Sequence, residues 1–151
     1  MSKTAAPSLY SLDNTQLARF VALRADAVRH TLLASEQAFP EVYERFGQRG
    51  RDACAEDIGF HLDFVRPVLE TGEIAPFLAY LAWLAQVLGS RGIPHASVAR
   101  SLTDLAAFFS DQLGRDGQPL AEALHAGAAV LTSGQAAPTY PGFNRRPKTS
   151  L

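Results

Sequence analysis

A short segment in the middle of the chain combines residue types that could bind or modify a ligand. The segment DACAEDIGFHLDF, residues 52–64, contains the single cysteine, Cys54, followed by Asp57 and His61. Spacings of three and four residues place these side chains on one face of an α-helix. A thiol can form a thioether with a ligand, and a carboxylate can accept several hydrogen bonds from N–H groups. The segment is therefore a candidate wall of a ligand pocket.

Ordinary core packing is the alternative for each of these side chains. A lone cysteine in a helix is commonly a small buried apolar residue, and a histidine at the edge of an apolar face is commonly a satisfied core residue. An aspartate at this spacing is commonly a surface acid, here with Arg51 as a partner. Spacing alone does not separate these alternatives from a ligand site.

The elements that must position these side chains are helices, because helical spacing predominates and alternating strand patterns are absent. We predict an all-α bundle of five or six helices. A single domain is expected over residues 14–134, with an N-terminal extension over 1–13 and a flexible C-terminal tail over 135–151. The predicted helices run from Asn14 or Thr15 to about Gln37, Pro40 to Gly47, Gly50 to Glu70, Ile74 to Gly89 or Gly92, Ile93 to Gly114 and Gln118 to Gly134.

Composition excludes several classes of function. The chain has 151 residues with 14 basic and 15 acidic side chains, so no basic excess favours nucleic acid as a partner. No apolar run is long enough to span a membrane, and the polar N-terminus does not resemble a signal peptide, which predicts a soluble cytoplasmic protein. One cysteine excludes an internal disulfide. We find no metal-ligand spacing and no acid–base pair with a nucleophile, so we expect neither a metal site nor an enzyme.

The segment CAEDIGFHLDFVRPVLETGE resembles the chromophore-bearing helix of the phycobiliproteins. Cys54, Asp57, the Phe60–His61 pair and Leu62 stand where that family has its cysteine, aspartate, aromatic pair and leucine. Downstream, FLAYLAWLAQVLGSRGIPHASVARSLTDL resembles the family's next helix, its turn and the following helix. The resemblance covers about Gly50 to Leu113 and implies a globin-like helical bundle.

The chain differs from the phycobiliprotein pattern in two respects. Glu56 occupies the place of the family's arginine, which pairs with a pigment propionate, and only 53 residues precede Cys54. The N-terminal helical pair is therefore expected to be lacking or shortened. In this respect the chain is most similar to the bilin-binding globins associated with bilin biosynthesis in bacteria.

The resemblance implies that the chain binds a linear tetrapyrrole (a bilin, such as phycocyanobilin or biliverdin) as a carrier, storage or sensory globin. Asp57 would accept hydrogen bonds from the pyrrole N–H groups, and Cys54 would be the attachment point. Arg51, one turn earlier, could raise the thiolate fraction, whereas Glu56 and Asp52 oppose it. Noncovalent binding therefore remains open.

The other predicted site residues would bind the outer parts of the pigment. Cations for the propionates are Arg49 and Arg51, with Arg45 as a further candidate, since arginine pairs bidentately with carboxylates. Flat apolar walls would come from the aromatic side chains, for which ordinary core packing is again the alternative. These candidates are Phe60, His61, Phe64, Phe77, Tyr80 and Trp83.

Two other functions remain open at this point. One is a globin-like sensor or protein-interaction module without pigment, and the other is a haem globin with His61 or His95 as the iron ligand. The nearly all-apolar helix from Ile74 to Leu88 could leave a surface for a second copy. We therefore expect a homodimer, with bilin-synthesis proteins as further partners and neither nucleic acid nor membrane bound.

Overall fold

The computed structural model describes residues 9–133, and within that range the chain is helical with no β-strand. The all-α prediction is confirmed, whereas the predicted tail at 135–151 and the first eight residues lie outside the described part. A 3-10 turn, Gly114–Gly117, joins the last two helices. The helices are α1 (Asn14–Ala22), α2 (Arg24–Ala38), α3 (Pro40–Thr71), α4 (Ala75–Gly89), α5 (His95–Leu113) and α6 (Gln118–Ser133).

The first predicted helix is two helices, so the single helix from Asn14 to Gln37 is wrong. Asp13 caps α1, because its side chain accepts from the Gln16 N–H at 2.8 Å while the Gln16 side chain accepts from the Asp13 N–H at 2.9 Å. The chain changes direction at Leu23, whose N–H reaches two carbonyls of the last turn. This break lets Phe20 bury against Phe109, with ring centroids 5.3 Å apart.

The long helix α3 contains one break, at the glycine where the sequence predicts a stop. Gly47 has φ 62° and ψ −144°, a backbone conformation essentially restricted to glycine. The predicted stop at Gly47 is confirmed, but helical structure resumes at residue 48 rather than after Gly50. The second part of α3 ends at Thr71 and is followed by Gly72, whose left-handed φ of 82° is typical of the residue after a helix.

The core lies between α5, α6 and the second part of α3, with α2 and α4 closing its sides. Leu12 is buried in this core, and its N–H donates to the Leu69 carbonyl at 2.9 Å. The end of the predicted N-terminal extension is therefore part of the bundle. Large side chains with almost no exposed surface include Leu62, Leu81, Leu102, Leu105, Phe109, Leu120 and Leu124.

The apolar helix α4 is covered by the rest of the chain. Phe77, Leu81, Leu84 and Leu88 are buried, and no large apolar side chain of α4 is exposed. The surface that suggested a homodimer is therefore already used inside the bundle, and dimerisation stays a prediction. Among the described residues, none of the helices has both the length and the apolar character that crossing a membrane requires.

Candidate ligand site

A small cavity, here called the inner cavity, lies between α3, the end of α4 and the first turns of α5. Its volume is about 40 Å³. Cys54, Asp57 and His61 all line it, so the structure brings together the three residues that the helical spacing placed on one face. The complete lining is Val42, Tyr43, Gly50, Cys54, Asp57, Ile58, His61, Leu88, Ile93, Ser97, Val98 and Ser101.

Asp57 is the most unusual residue of this cavity. The residue is only 5% exposed, and its Oδ1 atom is buried with no hydrogen-bond partner. Burial raises the pKa of Asp57 from 3.8 to about 7, the negative charge of Glu56 adds to the increase, and the positive charge of Arg91 opposes it. Near neutral pH the carboxyl group therefore exists in both protonation states, and it can donate or accept a hydrogen bond.

Aromatic residues of the core hold the side chain of His61 on the side away from the cavity. Its Nδ1 atom lies 2.8 Å from the hydroxyl of Tyr80, and the ring of Tyr80 stacks on Phe64 with centroids 4.1 Å apart. Complete burial lowers the pKa of His61 to about 3, so the imidazole is neutral at physiological pH. Burial also raises the pKa of Tyr80, so its hydroxyl keeps its proton. His61 therefore presents a neutral side chain to the cavity, and Tyr80 holds it by a hydrogen bond from the core side.

Cys54 belongs to a short hydrogen-bonded chain that connects three helical segments. The Tyr43 hydroxyl lies 2.9 Å from the Cys54 sulfur and 2.7 Å from the hydroxyl of Ser35 on α2. Burial raises the pKa of the thiol, and the negative charges of Asp57 and Glu36 add to the increase. The sulfur is therefore a protonated thiol at neutral pH.

Arg51 does not activate this thiol, which corrects the role predicted for it. Its guanidinium pairs with Glu36 on α2, Nε to Oε2 at 3.0 Å, and the residue does not line the inner cavity. The pairing neutralises the charge that would have stabilised a thiolate. Arg49 is exposed and also lies outside the cavity lining. Neither arginine is positioned by this structure to bind a ligand at Asp57.

The predicted aromatic walls are mostly core residues. Phe77 and Tyr80 are buried, Phe64 stacks on Tyr80, and Phe60 and Trp83 pack partly buried against the same core. Of the six aromatic candidates, only His61 contributes to the lining of the inner cavity. The ordinary-core alternative therefore describes these five rings better than the ligand-wall prediction, because the bundle itself supplies the partners of their apolar faces.

A larger depression, here called the outer groove, adjoins the inner cavity. Its volume is about 540 Å³, within the range of roughly 300–1,000 Å³ typical of small-molecule sites. Val42 and Ile93 line both spaces, so these two side chains lie between them. Arg45 and His95 line the groove and supply its basic groups. The complete lining is Glu41, Val42, Arg45, Phe46, Gly89, Gly92, Ile93, Pro94 and His95.

Sequence reasoning missed Tyr43, although its position contained a weak signal. Tyr43 and Cys54 differ by eleven residues, which is about three helical turns and roughly 16 Å along an unbroken helix. Their side chains meet only because the chain changes direction at Gly47. Glycine followed by a second glycine at position 50 indicated a break, but not the direction that the chain would take after it.

No group of three or more His, Cys, Asp or Glu side chains in residues 9–133 is arranged to hold a metal ion.

Comparisons of the chain with protein-family models, with curated proteins and with solved structures find no match.

Proposed function

We propose that the chain binds a linear tetrapyrrole, such as biliverdin or phycocyanobilin, across the inner cavity and the outer groove. The observation that carries the proposal is the buried Oδ1 atom of Asp57, which has no hydrogen-bond partner and belongs to a wall shared with Cys54 and His61. Leaving such an atom unpaired costs about 1–3 kcal/mol. The pyrrole N–H groups at the centre of a bilin are donors that would remove this cost.

The propionate groups of the pigment match the basic side chains of the outer groove. Arg45 and His95 line the groove, and the charge of Arg91 already acts on Asp57. A guanidinium can bind a carboxylate with two parallel hydrogen bonds. In the proposed complex Arg45 therefore takes the part predicted for Arg49 and Arg51, while the pyrrole nitrogens face Asp57.

Attachment through Cys54 would follow binding rather than precede it. Thioether formation adds the sulfur to one carbon of a pigment double bond and the thiol hydrogen to the other, so no oxidant is needed. The reaction requires the thiolate, and burial raises the pKa of Cys54. We therefore expect the noncovalent complex to form first, held mainly by Asp57 and the groove.

In this proposal the bundle is a globin-like relative of the phycobiliproteins that works in the cytoplasm. In this role it would carry, store or sense a bilin rather than turn over a substrate. A homodimer and contact with bilin-synthesis proteins belong to the same proposal.

Co-expression with a haem oxygenase and a bilin reductase tests this function. We expect a coloured protein whose absorbance in the red persists through purification. Cys54→Ala should remain coloured, and it should lose any pigment band that zinc staining shows on a denaturing gel of the wild type. A colourless protein from cells making biliverdin and its reduced products would refute the proposal, and a Soret band instead would indicate haem.

A second candidate, a protein-interaction module without pigment, is favoured by the size of the inner cavity. At about 40 Å³ the cavity is far below the size of small-molecule sites, and aliphatic side chains such as Ile58, Ile93 and Val98 line it. This candidate predicts that no tetrapyrrole binds under any of the conditions above. The same experiment therefore separates the two functions.

A further inference from the structure

We propose that residues 40–46, here called the cover, form a hinged flap over the inner cavity that turns about Gly47 and is held shut by the Tyr43 hydroxyl. The inference concerns access to Cys54 and Asp57, whichever molecule enters, and its test needs no pigment. Its outcome is therefore independent of whether a bilin binds.

The first argument is the mismatch between the two neighbouring spaces. The inner cavity of about 40 Å³ admits little more than a water molecule, whereas the outer groove has about 540 Å³. Val42 lines both spaces and Tyr43 lines the inner one, and both side chains come from the cover. The cover also supplies Glu41, Arg45 and Phe46 to one wall of the groove. Moving the cover away would therefore merge the groove with the cavity and expose Asp57 to a ligand.

The second argument is the hinge. Gly47 is the only residue of α3 with non-helical backbone angles, and its conformation is nearly restricted to glycine. A Cβ atom at this position would meet no atom within 4 Å. Glycine is therefore needed here for its backbone freedom and not because a neighbour leaves no space.

The third argument is the shallow attachment of the cover. Tyr43 is its only buried residue, Val42 and Phe46 are partly buried, and the remaining four are exposed. The part of α3 after Gly47 has ten buried residues. Segments with few buried contacts open at low free-energy cost. The two hydrogen-bond contacts of the Tyr43 hydroxyl, to Ser35 and Cys54, then form the main specific attachment.

The single cysteine, Cys54, is partly buried and contacts Tyr43 of the cover, so an increase in its reactivity reports opening of the cover. We propose to measure the rate at which N-ethylmaleimide labels Cys54 in the folded full-length chain. Gly47→Ala strains the closed conformation, so we expect labelling to accelerate by roughly tenfold to a hundredfold. Gly114→Ala is the matched control, because Gly114 has φ 60° and ψ −136°, no atom within 4 Å of a Cβ, and no part in the cavity.

The control variant should label at the wild-type rate. Equal acceleration in the two variants would mean that labelling requires unfolding of the whole bundle, and it would overturn the hinge. An unchanged rate in Gly47→Ala would overturn it as well.

A second variant tests the proposal if Gly47→Ala does not fold. Tyr43→Phe removes the attachment, and amide hydrogen exchange at residues 43–46 replaces thiol labelling, because Tyr43 contacts the sulfur directly. We expect exchange in the cover to accelerate by roughly threefold to thirtyfold, with no change in α5. Unchanged exchange in the cover would overturn the proposal.

Discussion

Replacing Asp57 with asparagine should remove the part of the pH dependence of stability that comes from the Asp57 carboxyl group. Burial holds the pKa of Asp57 at about 7 in the folded chain, above its ordinary value of 3.8. Between these two values the folded state binds a proton that the unfolded state has lost. Asp57 therefore supports the folded state fully below about pH 4, and this support disappears as the pH rises through 7.

The size of the effect follows from the two pKa values. Each factor of ten in proton affinity corresponds to 1.36 kcal/mol, so the interval from 3.8 to about 7 amounts to about 4 kcal/mol. Asparagine has nearly the same shape and does not titrate. Relative to the wild type, Asp57→Asn should gain about 1.4 kcal/mol in free energy of unfolding for each pH unit between about 4 and 7, and the difference should then stay constant.

Urea unfolding followed by circular dichroism at a series of pH values measures this difference. Asp111→Asn is the control for the substitution itself, because Asp111 is an exposed acid on α5 outside the cavity. A difference between Asp57→Asn and the wild type that does not depend on pH would refute the reasoning. It would show that the Asp57 carboxyl group is solvated in the folded chain.

Two further predictions concern the wall and the core behind the site. Burial lowers the pKa of His61 to about 3, so below pH 6.5 the unfolded chain binds a proton that the folded chain does not. In the same urea experiment, the free energy of unfolding of His61→Gln should therefore rise relative to the wild type by about 1.4 kcal/mol for each pH unit from 6.5 down towards 4. A fall relative to the wild type would contradict a neutral buried imidazole. Leu105 has no exposed surface, so Leu105→Ala should lower the free energy of unfolding by about 2–5 kcal/mol at pH 7, and a cost below 1 kcal/mol would contradict its place in the core.

The shared face of Cys54, Asp57 and His61 was predictable because it depends only on local helical geometry. The helix around them is unbroken from residue 48 to 71, so spacings of three and four keep their meaning. The same geometry shows which side chains share a face but not what that face contacts. For this reason the sequence predicts a ligand wall for the six aromatic candidates, although most of these side chains pack into the core.

The parts that sequence reasoning missed depend on contacts between distant segments. Leu23 carries no glycine or proline signal, yet α1 and α2 separate there and Phe20 of α1 packs on the distant Phe109. Arg51 has a carboxylate partner fifteen residues earlier, on another helix, which no helical wheel can show. The direction of the chain after Gly47 likewise decides that Tyr43 reaches Cys54.

The most direct test of ligand binding at Asp57 is an absorbance titration of the purified protein with biliverdin. The wild type should give a saturable spectral change, and Asp57→Asn should bind roughly tenfold to a hundredfold more weakly, because hydrogen bonds to an ionised acceptor are lost. Asp52→Asn, an exposed acid of the same helix, should bind like the wild type. Equal affinity in the wild type and Asp57→Asn, or no spectral change at all, would contradict the account.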